Sequence, residues 1–502
     1  MTQTQFLLFI TSIIPFLNCF AIKLGSRNAR IVDASIIIFP ILFLISIFGL
    51  NAGLGNGESS HFLIGEAIKD IYLGFFINQS TVSFLFLLGF IWIVFAVYLR
   101  RFLHLTQMKN SHEIKIFFVL VVALLNLIIL SKNLLTILFF YNCLVILSHF
   151  FALRFLHKKR DGYSHLFTIL LYLESVLLFL AIAATYKITG QIDFVSGGLI
   201  GKISQTEKLI LLFLYVGGLF LSVLFPSFLI YRRVNFDPII TYILFFLAYG
   251  FSSLYVISKV ITSIFGLKGF AIMIYQTNHD FLFTLVEMVF LINIGASLMF
   301  LLLSKNFASS FFYLFFQQLL FALFAIFIFA SFDGERLYLV IISFATSLTL
   351  IFLCCSNLNF YLTKEKIKVS DDNSLNQHWY GGIYKNMKIT TLLLIFGLLG
   401  LIGLAPSIAA VEIFVLAKTI YRNGLMISGM VFLLNFIGIA LFSLKMIFTI
   451  FDRKQENGVE MHDQTIAKNI DSDSSLILTV VTVAIVMIIT AMASSSMISV
   501  FG

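Results

Sequence analysis

The sequence predicts an all-α polytopic membrane protein of about fourteen transmembrane helices. Three observations predict it. Of the 502 residues, 60% are hydrophobic and 11% charged, with a mean hydropathy of +1.03, an apolar fraction that no water-soluble fold can bury. Apolar runs of about twenty residues, the length that crosses a hydrocarbon core, recur from end to end. Basic residues gather in alternate connections between those runs.

In chain order the runs place membrane segments near 5–22, 32–50, 75–98, 114–130, 134–156, 164–186, 208–230, 238–260, 283–303, 310–331, 336–355, 389–417, 425–450 and 475–499. Connections after odd-numbered segments are basic, as with Arg100, Arg101 and Lys109, then Lys158, Lys159 and Arg160, then Arg232 and Arg233. Even-numbered connections are mixed or acidic, with Glu58, Glu66 and Asp70 in the first of them. The asymmetry puts the odd connections in the cytoplasm and both termini outside. Residues 363–388 and 452–474 read as surface loops, too short for a domain.

Two segments are interrupted. The seventh carries Gly217, Gly218 and Pro226, and the twelfth carries Gly403 and Pro406 with Glu412 just beyond. Proline removes a backbone donor and clashes with the preceding turn, so both helices break there. Each broken helix is the fourth of five, counting from segments four and nine. Broken helices at matching places in two five-helix units point to inverted repeats, segments 4–8 and 9–13. The domain reading is 1–113 for three leading helices, 114–262 and 283–451 for the repeats, and 452–502 for a loop and final helix.

Other classes of function are excluded. The net charge of +9 comes from topology signals and not from a nucleic-acid surface. Cys19, Cys143, Cys354 and Cys355 lie in or beside apolar runs without metal-ligand spacing and read as buried thiols. The first run begins at Phe6 with no basic residue before it and reads as a retained helix. No phosphate loop or nucleotide fingerprint occurs, so no catalytic centre, cofactor or metal is expected. The 60 Phe residues read as lipid contact and helix packing.

Several stretches are similar to one family. GGIYKNMKITTLLLIFGLLGLIGLAPS resembles the segment G-L-x-x-x-M-P-x-T-x-x-x-F-x-I-x-x-L-x-L-x-G-x-P-P of the antiporter-like proton-conducting membrane subunits. These are the large membrane-arm subunits of NADH:quinone oxidoreductase (complex I) and their relatives in the multisubunit Mrp cation/proton antiporters. Met387, Thr390, Gly403 and Pro406 fall in register, while Lys388 and Ala405 replace two prolines. ILSKNLLTILFFYN, TYKITGQIDF and GGLFLSVLFPSF resemble further pieces in the same order, and FFYLFFQQLLFAL keeps Tyr313 and Gln318. The resemblance covers roughly 75–450 and implies the same fourteen-helix fold.

It also implies a row of ionisable residues at the membrane midplane, and there the chain departs. The fifth-helix glutamate position falls on Asn142 and the seventh-helix lysine on Leu221. The eighth-helix lysine falls within Leu247–Tyr249, and the eleventh-helix lysine or histidine near Leu348. The twelfth-helix lysine or glutamate falls on Ile413, one residue from Glu412. Asn142 can bond a water but cannot exchange a proton, and Leu221 can do neither.

Asn142 and four further residues are candidates for an ion pathway. Glu412 is either a relay acid or a protonated carboxyl bonded to backbone freed at Pro406. Glu174, mid-way along the sixth segment, either replaces the missing acid or bonds Ser175 or Tyr172. His149 lies two turns past Asn142 on the same face and either extends a proton path or is a satisfied core histidine. Lys418, six residues past Glu412, snorkels to an interface by default. Glu287 and Lys445 read as interfacial.

The expected function is that of a membrane subunit in a proton- or cation-translocating complex of the complex I or Mrp type, in a bacterial-type inner membrane. Its expected partners are other membrane subunits, lipid, and protons or sodium, with no nucleic acid. The alternatives are a non-conducting scaffold or assembly subunit of the same fold, and an independent transporter with a site between the broken helices.

Overall fold

In hydrocarbon a backbone can satisfy its polar groups only within itself, so each apolar run closes into a helix. The computed structural model describes residues 3–25, 28–54, 59–68, 71–107, 110–156, 163–195, 197–200, 204–227, 238–275, 280–304, 307–366, 384, 387–451 and 474–494. The helices are α1 Gln3–Leu24, α2 Ala29–Gly53, α3 Gln79–Thr106, α4 Ser111–Leu130, α5 Leu134–Leu156, α6 Tyr163–Thr189, α7 Gln205–Phe220 and α8 Pro238–Phe265. They continue with α9 Leu267–Tyr275, α10 Asp280–Leu303, α11 Phe307–Phe332, α12 Leu337–Lys366, α13 Lys388–Ile402, α14 Ile408–Arg422, α15 Met426–Phe451 and α16 Ser474–Met492. Twelve helices among the described residues are long and apolar enough to cross a membrane. Most of the two loops expected at 363–388 and 452–474 lies outside the described residues.

One element departs from the all-helical expectation. Residues Ser60–Ile68 (β1) and Ile71–Ile77 (β2) form an antiparallel hairpin, with Ser60 opposite Ile77 and Ile68 opposite Ile71. Its β-branched and aromatic side chains come in runs too short for a membrane helix, which favours a strand. The third segment, expected from 75, therefore starts at Gln79, where the Asn78 side chain caps it by accepting the Thr81 N–H.

Both expected interruptions are present. After α7 ends at Phe220 the chain runs in turns through Ser227, and residues 228–230 of the expected segment lie outside the described residues. Pro226 is exposed in that turn. α13 ends with Gly403 in the left-handed region at φ 85°, and Leu404 donates back to the Leu399 carbonyl at 2.9 Å, closing the helix end before Pro406. Ser407 then caps α14 by accepting the Ala410 N–H. Proline alone does not break a helix here, because α1 runs through Pro15. The Thr11 carbonyl freed by that proline accepts instead from Asn126 Nδ2 on α4 at 3.0 Å.

The chain divides into two compact units, one containing Met1–Ser222 and Ile243–Thr277 and the other Val223–Tyr242 and Asn278–Ser499. In the first, α4 to α8 close a ring in which each helix packs on the next and α8 returns to α4. α1, α2 and α3 flank α4, and Asp33 on α2 holds Arg100 and Lys115 of α3 and α4 at 3.3 Å each. In the second, α10, α11, α12, the broken pair α13–α14, and α15 close a ring of their own. α16 rests there on α12, α13 and α14.

Glu287 and Lys445, expected at the membrane surface, join α10 to α15. The buried Glu287 carboxylate accepts the Ser428 N–H at 3.0 Å and the Ser428 hydroxyl, at the N-terminal turn of α15. Lys445 Nζ donates to the Leu302 carbonyl at 2.8 Å, at the C-terminal end of α10. Each helix end thus receives a side chain of the sign its dipole favours.

Candidate functional site

Each unit buries one carboxyl group beside a helix break. In the first unit Glu174 on α6 is 0% exposed. Close packing of α6 on α7 at glycine puts the end of α7 within its reach. A Cβ on Gly218 would lie 2.6 Å from the Leu178 backbone nitrogen, so only glycine permits this approach. The chain leaves the helix after Phe220, and the Ser222 N–H donates to Glu174 Oε1 at 2.7 Å. Tyr249 on α8 donates its hydroxyl to the same oxygen at 2.8 Å. Glu174 Oε2 is buried with no hydrogen-bond partner.

A small cavity of about 10 Å³ is lined by Tyr141, Ser148 and Glu174's partner Tyr249 among apolar side chains of α5, α6 and α8, and Glu174 itself does not line it. That is the lower limit of space for a single water. The Tyr141 hydroxyl meets the Ser253 hydroxyl at 3.3 Å across the α5–α8 contact.

The structure rearranges the sequence expectations here. Glu174 bonds neither Ser175 nor Tyr172, the partners weighed for it, and takes Ser222 and Tyr249 instead. Asn142 is half-buried with Oδ1 unpartnered and does not line the cavity; its neighbour Tyr141 does. His149 is half-buried beside Phe150 and Tyr172, with ring centroids at 5.6 and 5.7 Å. Leu221, where the resemblance implies a lysine, precedes the residue whose backbone N–H serves Glu174.

In the second unit Glu412 stands on α14, one turn past the helix start at Ser407. The break creates a new helix N-terminus, whose partial positive charge favours a carboxylate nearby. Glu412 is 6% exposed and lines a cavity together with Ser343 of α12. The cavity, of about 20 Å³, is also lined by Gln318, Leu348, Leu401 and Ile413 among others. This is room for a water. Gln318 donates to Gln317 Oε1 at 2.7 Å, and Gln317 Nε2 is buried without a partner.

Leu348 and Ile413, assigned from sequence to the eleventh- and twelfth-helix charge positions, line the cavity together with Glu412. The one-residue offset of Glu412 therefore keeps its carboxyl at the same cavity. Lys418 is exposed and lines neither cavity.

Sequence reasoning did not single out Tyr249, Ser343 or Ser222. Isolated hydroxyls in apolar helices carry no motif, and a backbone N–H leaves no sequence signal. Among the described residues no cluster of three His, Cys, Asp or Glu side chains forms a metal site. The four cysteines form no disulfide with one another, and Cys354 and Cys355 are buried while Cys19 and Cys143 are half-buried.

No protein-family model matches the sequence, and no curated protein matches it. Solved structures do. A chain of the Mrp complex from Dietzia sp. DQ12-45-1b superposes with a TM-score of 0.77 at 13% identity, over 100% of this chain and 96% of that one. A chain of the membrane-bound sulfane sulfur reductase, an archaeal respiratory membrane complex, gives 0.68 at 13% identity over 98% and 96%. A chain of respiratory complex I from Thermus thermophilus with bound aureothin gives 0.68 at 13% identity over 97% and 98%. The chain is thus a multi-pass membrane protein whose whole length has the fold of chains in the Mrp complex, an archaeal respiratory complex and complex I.

Proposed function

We propose that the chain is a membrane subunit of a proton- or cation-translocating complex of the Mrp or complex I type, and that Glu174 and Glu412 carry its ion traffic. The observation that carries the reading is common to both units. A carboxyl group lies buried near a helix break: Glu174 bonded to the Ser222 N–H and the Tyr249 hydroxyl, and Glu412 beside the Ser343 hydroxyl in a cavity with space for water. An ionisable group is costly inside a membrane and marks an ion path by default. Neutral partners leave such a carboxyl free to take up and release a proton, where a fixed lysine would hold it ionised.

In this reading the rings α4–α8 and α10–α15 are the inverted repeats expected at 114–262 and 283–451. The termini face outward from a bacterial-type cytoplasmic membrane, and the chain works among other membrane subunits. The scaffold reading draws on Leu221, Leu348 and Ile413, which put aliphatic side chains where the resemblance implies charge. The test is ion flux in vesicles holding the assembled complex, with Glu174→Gln and Glu412→Gln. Flux in the parent that both substitutions abolish supports conduction; parental flux in the double variant removes both residues from the path.

A further inference from the structure

The span α8 is buried along its most apolar stretch, with Thr262 and Ser263 half-buried near its end, yet it carries a polar stripe. Tyr249, Ser252, Tyr255, Lys259 and Thr262 recur at spacings of three and four, one face of a helix. The span also leaves regular α geometry twice, with π-helical stretches at Tyr242–Phe251 and Ile261–Phe265 that bracket Lys259. Such stretches are frequent at functional sites.

Lys259 is 7% exposed. Its Nζ lies 5.9 Å from the ring centre of Phe76 on β2 and 5.7 Å from that of Phe194. Among the described residues no carboxylate pairs with it. Ring faces attract an ammonium without the full charge of a carboxylate, so they hold the charged amine less firmly than an ion pair would. Next to Phe194 in sequence, Asp193 pairs with Lys132 at 3.5 Å and is half exposed.

We infer that Lys259 is a second proton-carrying residue of the first unit, joined to Glu174 along the polar face of α8. This rests on the conducting reading above and goes beyond it, because Lys259 stands ten residues past the family's eighth-helix position at Leu247–Tyr249. Glu174 is bonded to Tyr249 at one end of the stripe. The Tyr141–Ser253 contact and the small cavity lie beside the intervening turn. A proton leaves the Glu174 carboxyl, passes along hydroxyls and water, and forms an N–H bond on the Lys259 amine. It then leaves near the hairpin, where Asp193 reaches solvent.

The experiment measures proton flux in membrane vesicles of the native host holding the assembled complex, with Lys259→Met and Lys259→Arg. Both variants are expected to lose flux at least tenfold while the complex assembles at parental levels. Arginine keeps the contact with the rings but does not release its proton. Rescue by Lys259→Arg would assign the residue to packing and overturn the inference, as would parental flux in Lys259→Met or loss of assembly in both variants. A parent without flux overturns the conducting reading itself. Loss of flux in Glu174→Gln with full flux in Lys259→Met overturns only the role of Lys259.

Discussion

Glu174 is asked to do two things, to hold the end of α7 and to carry a proton, and two substitutions separate them. Glu174→Leu removes the acceptor of both the Ser222 N–H at 2.7 Å and the Tyr249 hydroxyl at 2.8 Å. Each donor left buried and unpaired costs about 1 to 3 kcal/mol, so the loss is about 2 to 6 kcal/mol. Glu174→Gln keeps a carbonyl oxygen for both donors and places its amide where Oε2 stands unpartnered, at a cost of about 1 kcal/mol. Thermal unfolding of the detergent-solubilised complex should rank parent, Gln and Leu in that order, with Leu well below Gln. Proton flux should be lost in both, because neither side chain exchanges a proton. Leucine as stable as the parent would refute the bonding account; glutamine with parental flux would refute the proton-carrying one.

Other substitutions test the frame around the two sites. Glu287→Ala leaves the Ser428 N–H and hydroxyl without their acceptor and should cost about 2 to 5 kcal/mol in thermal stability, with Glu287→Gln recovering most of it. Gly218→Val should disrupt assembly, since its Cβ would lie 2.6 Å from the backbone of Leu178. Gly217→Ala, whose Cβ would meet only the Leu177 side chain at 3.3 Å, should assemble normally. Ser407→Ala removes the cap of α14 and should lower stability by about 1 kcal/mol, read by the same thermal scan.

The architecture was legible because hydropathy encodes it directly: a twenty-residue apolar run has few options in a bilayer. Gly403 with Pro406 announced one break, and Gly217, Gly218 and Pro226 the other, since each removes a constraint or a donor that a continuous helix needs. The β1–β2 hairpin was not legible, because its apolar runs border a membrane segment and carry the same hydropathy. Glu174 and Glu412 stood out as acids in apolar helices. Their partners did not, because Ser222 contributes a backbone N–H and Tyr249 lies 75 residues away from Glu174 in sequence. The partners of Glu287 and Lys445 were hidden for a related reason. A charge near a helix end does not say which neighbouring helix end it bonds.

The most direct test of the account is ion flux through vesicles that hold the chain with its partner subunits, comparing the parent with the Glu174→Gln, Glu412→Gln double variant. The account predicts proton or sodium flux in the parent and its loss, by at least tenfold, in a double variant that assembles normally. Equal flux in the two would show that the buried carboxyl groups are not the path.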